Sequence, residues 1–120
     1  MPLLPSEAAI EALSALAHPG RLAVFRLLVK AGPDGMAAGD VARAMDTAPN
    51  TMSTQLAILA RTGLIRSQRD RRSIIYRADY DAFSTLLAFL IDDCCDGRPE
   101  ICTPLVTVVQ SALACAADAC

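Results

Sequence analysis

The chain has 120 residues, 53% of them hydrophobic and 20% charged, with five cysteines, one histidine and a formal charge of −2. That length predicts a single domain with a modest core, so a second subunit is expected to cover part of its surface. No apolar run reaches the length of a membrane span, and the opening Met1-Pro2-Leu3-Leu4-Pro5 lacks the basic segment of a secretory signal; no membrane partner is expected, and the expected compartment is the cytoplasm.

Ser6 is placed to cap a first helix over about 7–17, with Glu7 and Glu11 near its positive end and Ile10, Leu13 and Leu16 as an apolar stripe. His18-Pro19-Gly20 breaks that helix, and His18, ahead of a proline at the break, reads as structural rather than as a ligand. A second helix follows to about Ala31 with Leu22, Phe25, Leu28 and Val29 apolar, and Gly32-Pro33-Asp34-Gly35 is a turn. The segment 37–45 reads as a short helix with Val41 and Met45 turned inward. Asp46-Thr47-Ala48 joins it tightly to a helix over 49–61, which opens at Pro49, the position where a missing N–H does no harm. Met52, Leu56 and Leu59 share one face of that helix, Asn50, Thr51, Ser53, Thr54 and Gln55 occupy the remaining surface, and Gly63 closes it. Two short helices around a tight turn, the second polar at its start, describe a helix-turn-helix over 37–61 with its recognition helix at 49–61.

The runs 64–69 and 73–77 read as two strands around Asp70-Arg71-Arg72, a hairpin or wing over 64–78 with Arg69, Arg71 and Arg72 at and beside its tip. Charge supports a nucleic-acid partner. Residues 43–77 carry seven arginines against two acids, while residues 79–120 carry one arginine against seven acids. A basic face therefore persists in an acidic chain, and the local field is what a phosphate backbone meets. From Tyr80 to about Asp93, Phe83, Leu86, Leu87, Leu90 and Ile91 form a helical stripe suited to a core or to a second subunit. Thr103-Pro104 starts a terminal helix through Leu105, Val108, Val109 and Leu113, read as a second dimer element. The fold expected is mainly α with a small β-hairpin: one winged helix-turn-helix domain over 1–120, a homodimer through its N- and C-terminal helices, with 80–120 as the dimerisation and sensing segment.

This order of elements resembles the ArsR/SmtB family of bacterial metal-responsive repressors over about residues 7–93. Pro49-Asn50-Thr51-Met52-Ser53-Thr54-Gln55-Leu56-Ala57-Ile58-Leu59-Ala60-Arg61-Thr62-Gly63-Leu64-Ile65 is similar to the family's recognition helix ending in "L..L...GL[VI]". Leu16-Ala17-His18-Pro19-Gly20-Arg21-Leu22 resembles its "LA.P.RL.IL..L" opening. The resemblance implies a homodimer that holds a roughly palindromic operator in double-stranded DNA and leaves it when inducer binds. It places Asn50, Ser53, Thr54 and Gln55 where such helices reach bases and phosphates. Thr54-Gln55 stands where the family often has a basic residue followed by histidine.

The inducer is argued from the thiols. All five cysteines lie from Cys94 onward, an odd count that in a cytosolic chain points to metal, metalloid or redox chemistry rather than a disulfide framework. The 37–45 helix holds no cysteine, so the Cys-x-Cys site of some arsenic repressors is absent, and a single histidine cannot build the His/Asp/Glu zinc site of other members. There remain Cys94, Cys95 and, after six intervening residues, Cys102. Adjacent residues on an intact helix point about 100° apart, so Cys94 and Cys95 converge only if the helix ends there, which Asp96-Gly97 and Pro99 provide. Three thiolates suit trivalent arsenic or antimony, which bind in a pyramid, whereas a structural zinc needs a fourth ligand. The cluster also resembles the C-C-x(5-6)-C arsenic site of one ArsR subgroup. Arsenite is the expected inducer, with antimonite beside it and no organic cofactor. Alternatives through the same cysteines are thiol oxidation or persulfide sensing, and cadmium or lead; the acids Asp92, Asp93 and Asp96 would raise the thiol pKa and slow oxidation. Cys115 and Cys120 read as tail residues outside the site. An enzyme is not expected, since Cys-x-x-Cys, a glycine-rich phosphate loop and a supply of general bases are all missing.

Overall fold

The structure, a computed structural model, describes residues 6–91 and Thr107. Its elements are α1 (Ser6–Leu16), α2 (Pro19–Ala31), β1 (Met36–Ala37), α3 (Ala38–Ala44), α4 (Pro49–Arg61), β2 (Ile65–Asp70), β3 (Ser73–Ala78) and α5 (Tyr80–Ile91), with one 3₁₀ turn at Gly32–Asp34. The chain divides after Leu86 into two compact units, so α5 begins in the first and its last turn belongs to the second. Mainly helical with a small antiparallel sheet, the first unit is a winged helix-turn-helix. No single described helix is long and apolar enough to cross a membrane.

The core of the first unit is built by Val24, Phe25 and Leu28 of α2, Val41 of α3, Met52, Leu56 and Leu59 of α4, and Leu64, Ile65, Ala78 and Leu86. Phe25 meets Phe83 edge-to-face, ring centroids 5.1 Å apart, which docks the start of α5 on α2. Tyr80 Oη adds a hydrogen bond to the Val29 carbonyl at 3.2 Å.

Three expectations are corrected. First, α1 buries the small residues Ala9, Ala12 and Ala15, while Ile10 is 65% and Leu13 39% exposed and Leu16 only half-buried. Alanines three apart let the helix backbone approach the core closely, and the bulkier stripe is turned away from it. Ser6 is the first helical residue rather than a residue before the helix. On α2 the same rotation exposes Leu22 and Val29 and buries Val24.

Second, Met36–Ala37 forms a strand, and the helix read over 37–45 is shortened to Ala38–Ala44. The sheet has order β1-β3-β2, with Met36 opposite Tyr76 and Ala37 opposite Ile75. Gly35 makes this third strand fit: its φ is +69°, and a Cβ there would lie 2.3 Å from the Tyr76 carbonyl oxygen. Third, the hairpin spans Ile65–Asp70 and Ser73–Ala78, so Leu64 precedes it as a fully buried core residue and Arg71-Arg72 alone forms the turn between Asp70 and Ser73.

Other boundaries agree. His18 is the N-cap of α2, its Nδ1 accepting from the Gly20 and Arg21 N–H groups at 3.1 and 3.3 Å, the structural role expected of it. The recognition helix runs Pro49–Arg61 as read, and Gly63 follows with φ +84°. Thr107, inside the expected terminal helix, is helical and exposed; the rest of that segment lies outside the described residues.

Candidate nucleic-acid interface

The face of α4 is set by its period. Met52, Leu56 and Leu59 are buried, which leaves Asn50, Ser53, Thr54, Ala57 and Arg61, at spacings of three, four, seven and eleven, on one exposed surface. Thr51 flanks that face and is also exposed. Asn50, Ser53 and Thr54 thus stand together as expected, and Thr51, Ala57 and Arg61 join them; the period-3.6 pattern already contained the latter two. The Thr54 hydroxyl donates to the Asn50 carbonyl at 3.2 Å, which leaves its lone pairs to accept from a base or a bridging water. At the start of the helix Ala48 supplies no side-chain cap, so the positive end of α4 faces solvent beside Asn50 and Thr51.

Gln55 does not share that face. It lies about 140° around the helix from Asn50, bordering the buried stripe, and is half-buried. Its Oε1 accepts from Arg21 Nη1 at 3.0 Å. The expectation that Gln55 reaches DNA alongside its neighbours is therefore not what the geometry favours, because its acceptor is already engaged from α2.

On the wing, Arg69, Arg71 and Arg72 are exposed and, among the described residues, make no ion pair. Arg71 sits at φ +60° in a position that hairpins usually give to glycine. A side chain held there costs of order 1–2 kcal/mol in backbone strain, and retaining arginine at that position is consistent with a contact its charge makes elsewhere. Three other arginines of the basic segment have partners on the protein surface. Arg43 pairs with Asp40, Arg77 donates to Gln68 across the hairpin, and Arg66 Nε donates to Asp79 Oδ2 at 2.5 Å. Among the described residues only Arg43 and Arg66 face a carboxylate, since Gln68 is uncharged, so the unpaired positive charge of the segment is carried by Arg61, Arg77 and the wing arginines.

Asp79 ties the wing to α5. Its N–H donates to the Leu64 carbonyl, its Oδ1 accepts from the Ala82 N–H at 3.0 Å as the cap of α5, and its Oδ2 holds Arg66. Burial pushes its pKa up, but the Ala82 N–H, the Arg66 hydrogen bond and charge, and the Asp81 N–H outweigh that and hold it below the ordinary carboxylate value.

Among the described residues no group of three or more His, Cys, Asp or Glu could hold a metal ion. Cys94, Cys95 and Cys102, like Cys115 and Cys120, lie outside the described residues.

The geometry is matched by known proteins. The family described as "Helix-turn-helix domain" matches residues 16–68. The HTH-type transcriptional regulator YgaV of Escherichia coli (strain K12) is 34% identical over 85 residues, 71% of this chain and 84% of that protein. Nodulation protein NolR of Rhizobium meliloti is 33% identical over 87 residues, covering 72% and 69% respectively. Among solved structures, the homodimeric winged helix-turn-helix DNA-binding domain of Mb0332 from Mycobacterium bovis, a candidate ArsR-family regulator, has a TM-score of 0.59 at 27% identity, covering 72% of this chain and 80% of that one. The chain belongs to the ArsR family.

As an ArsR-family protein it is a DNA-binding transcriptional regulator and not an enzyme. In this regulator, Arg71→Ala combined with Arg72→Ala is expected to weaken DNA binding and to lower the slope of log affinity against log salt by about 2, one counterion per lost phosphate contact. An unchanged slope would take the wing tip off the DNA.

For the junction at Asp79, a depressed folded pKa means that its contribution is fully present above the unfolded carboxylate value of about 3.9 and is lost as pH falls through the folded value. Asp79→Asn keeps a capping side chain but cannot ionise. Wild type is therefore expected to be the more stable at pH 7, with the gap closing below about pH 4. Asp79→Ala is expected to lose about 1 kcal/mol at pH 7 through the missing cap. Urea unfolding across that pH range reads both effects.

Proposed function

We propose that this ArsR-family protein is a homodimeric repressor that holds a roughly palindromic operator and releases it when trivalent arsenic, or antimony, binds the thiolates of Cys94, Cys95 and Cys102. The observation that carries the operator half is the exposed polar face of α4 beside a hairpin whose strained tip presents arginines. Bases are read from Asn50, Ser53 and Thr54, and phosphates are met by Arg69, Arg71 and Arg72 and by the uncapped start of α4. Dimerisation is supported by the outward apolar residues Ile10 and Leu13 of α1 and by the homodimeric state of the Mb0332 domain. Two copies place two recognition helices on successive major grooves of one duplex.

The inducer half rests on the donor set. Cys94-Cys95 follows the last described residue of α5 by three positions, and Cys102 completes a set of three soft ligands with no histidine nearby in the sequence. Such a set suits a three-coordinate thiophilic centre and leaves a tetrahedral zinc one ligand short. The bound metalloid would supply three S–As bonds that draw the segment after α5 together; the protein's part is to hold the thiols near one another and to couple that segment to the dimer.

The test is an operator-shift titration on a duplex that the protein itself selects from a randomised pool, run with arsenite, antimonite, cadmium, lead and peroxide in parallel. Release by arsenite and antimonite at low micromolar concentration supports the proposal. Release by peroxide alone, reversed by dithiothreitol, replaces it with thiol oxidation, and release by cadmium or lead alone replaces the metalloid with a divalent ion.

A further inference from the structure

We propose that Arg21 is a positioning residue for DNA reading: it is a strut that holds the recognition helix against the α1–α2 corner through Gln55, and Gln55 serves that strut rather than a base edge. The proposal rests on the DNA-binding half of the reading above and is independent of the inducer.

Arg21 lies in the first turn of α2 and is half-buried. Its Nε donates to the Ala15 carbonyl at 2.6 Å and its Nη1 to Gln55 Oε1 at 3.0 Å. One planar group therefore binds the last turn of α1 and the middle of α4 at once. The Ala15 carbonyl belongs to the set at a helix C-terminus that lacks intrahelical partners, at the negative end of the helix, so a cation is the fitting donor there. The backbone of Arg21 is pinned as well, because its N–H is one of the two that His18 Nδ1 accepts. The strut is thus anchored at its root and at both tips.

Met52, Leu56 and Leu59 seat α4 on the core, but its side toward α1 is less closely packed. Between α1 and α4 lies an open groove of about 340 Å³ lined by Ile10, Ser14, Ala15, Arg21, Ile58 and Arg61 among others. An interface with such a gap has fewer dispersion contacts to fix the angle between its helices than a close-packed one. Gln55 sits five residues, about 7.5 Å along the axis, from Asn50. A tilt of α4 by about 10° about that point moves Asn50 by about 1 Å, enough to spoil a bidentate contact to a base. The position of Gln55, off the exposed face and with its acceptor engaged, explains why a residue type well suited to adenine is placed where it does not reach the groove directly.

The arrangement needs the guanidinium fork. A lysine carries a single ammonium, and the two acceptors are approached by Arg21 from two different nitrogens of one plane. Arg21→Lys keeps the charge and the aliphatic stem, so folding is preserved while the strut is lost.

The experiment compares Arg21→Lys, Arg21→Met, Gln55→Met and the Arg21→Met/Gln55→Met double variant, each checked for fold by circular dichroism, on a duplex selected by the wild-type chain from a randomised pool. Each single variant is expected to lower specific affinity about tenfold and the double variant also about tenfold, because both substitutions remove one device. Binding to a scrambled duplex and the salt slope are expected to stay at wild-type values. A residue that only stabilised the fold would lower Tm and leave the affinity of the folded protein unchanged. Losses that multiply to about a hundredfold, or relaxed preference at one base pair in Gln55→Met alone, would show that Gln55 reads DNA directly and overturn the proposal. So would rescue by Arg21→Lys, a salt slope lowered by about 1 in Arg21→Met, or wild-type affinity throughout. If the wild-type chain selects no duplex at all, both this proposal and the DNA reading fall.

Discussion

Cys95→Ser is expected to abolish arsenite-driven release while leaving operator affinity within about twofold of wild type. Serine matches cysteine in shape, but its hydroxyl does not ionise near neutral pH and is a hard oxygen donor, so the trivalent centre loses one of three strong bonds. The side chains proposed to meet DNA belong to α4 and the wing, elements that end well before residue 95 in the chain. That separation is why release and operator affinity are expected to part company in the variant. A monomethylated trivalent arsenical needs only two thiolates, so it is expected to retain part of its effect through Cys94 and Cys102. Cys115→Ser and Cys120→Ser are expected to respond as wild type. Fluorescence anisotropy of a labelled operator duplex under arsenite titration measures all four; an undiminished arsenite response in Cys95→Ser would remove that residue from the site.

Ile10→Glu combined with Leu13→Glu is expected to convert the dimer to a monomer and to lower operator affinity by at least about a hundredfold. Both side chains project from the first unit, at 65% and 39% exposure, whereas the residues that seat α1 on its own core are Ala9, Ala12 and Ala15. Glutamate is a good helix former, so the monomer's fold is expected to survive. Placing charge on an apolar contact is costly for the dimer, since each glutamate would meet either apolar surface or another glutamate. The loss in DNA binding is large because a dimer bound at one half-site presents its second recognition helix at a high effective concentration to the other, about one helical turn away. Light scattering gives the oligomeric state and anisotropy the affinity. Persistence of the dimer would place the interface elsewhere, and loss of helical signal would show that Ile10 and Leu13 belong to the monomer's core after all.

The reading of α1 shows where sequence reasoning goes wrong. Helical period identified the element, but a stripe of Ile10, Leu13 and Leu16 and a stripe of Ala9, Ala12 and Ala15 are both legible there, and size alone favours the first. Which stripe turns inward depends on how closely α1 can approach α2 and α4, a quantity that belongs to the assembled helices. The arginines teach the same lesson in charge. Counting predicts a field from seven of them in residues 43–77, yet Arg43 and Arg66 are each offset by a carboxylate, Asp40 and Asp79. Of those partners only Asp40, three residues from Arg43, lies at helical spacing.

The features legible in the residues alone are the ones fixed by local chemistry. Pro49 at the first turn, the period of Met52, Leu56 and Leu59, and Gly63 beyond the end place the recognition helix without reference to any distant group, and two β-rich runs across a polar turn place the wing. The thiol cluster is likewise argued from donor type and spacing alone, and its cysteines lie outside the described residues. Strand β1, the inward face of α1, the Arg66–Asp79 junction and the Arg21–Gln55 strut came from the folded chain. Each joins residues that lie far apart in sequence or selects between two faces of one helix, and such choices are made by packing and chain closure rather than by propensity.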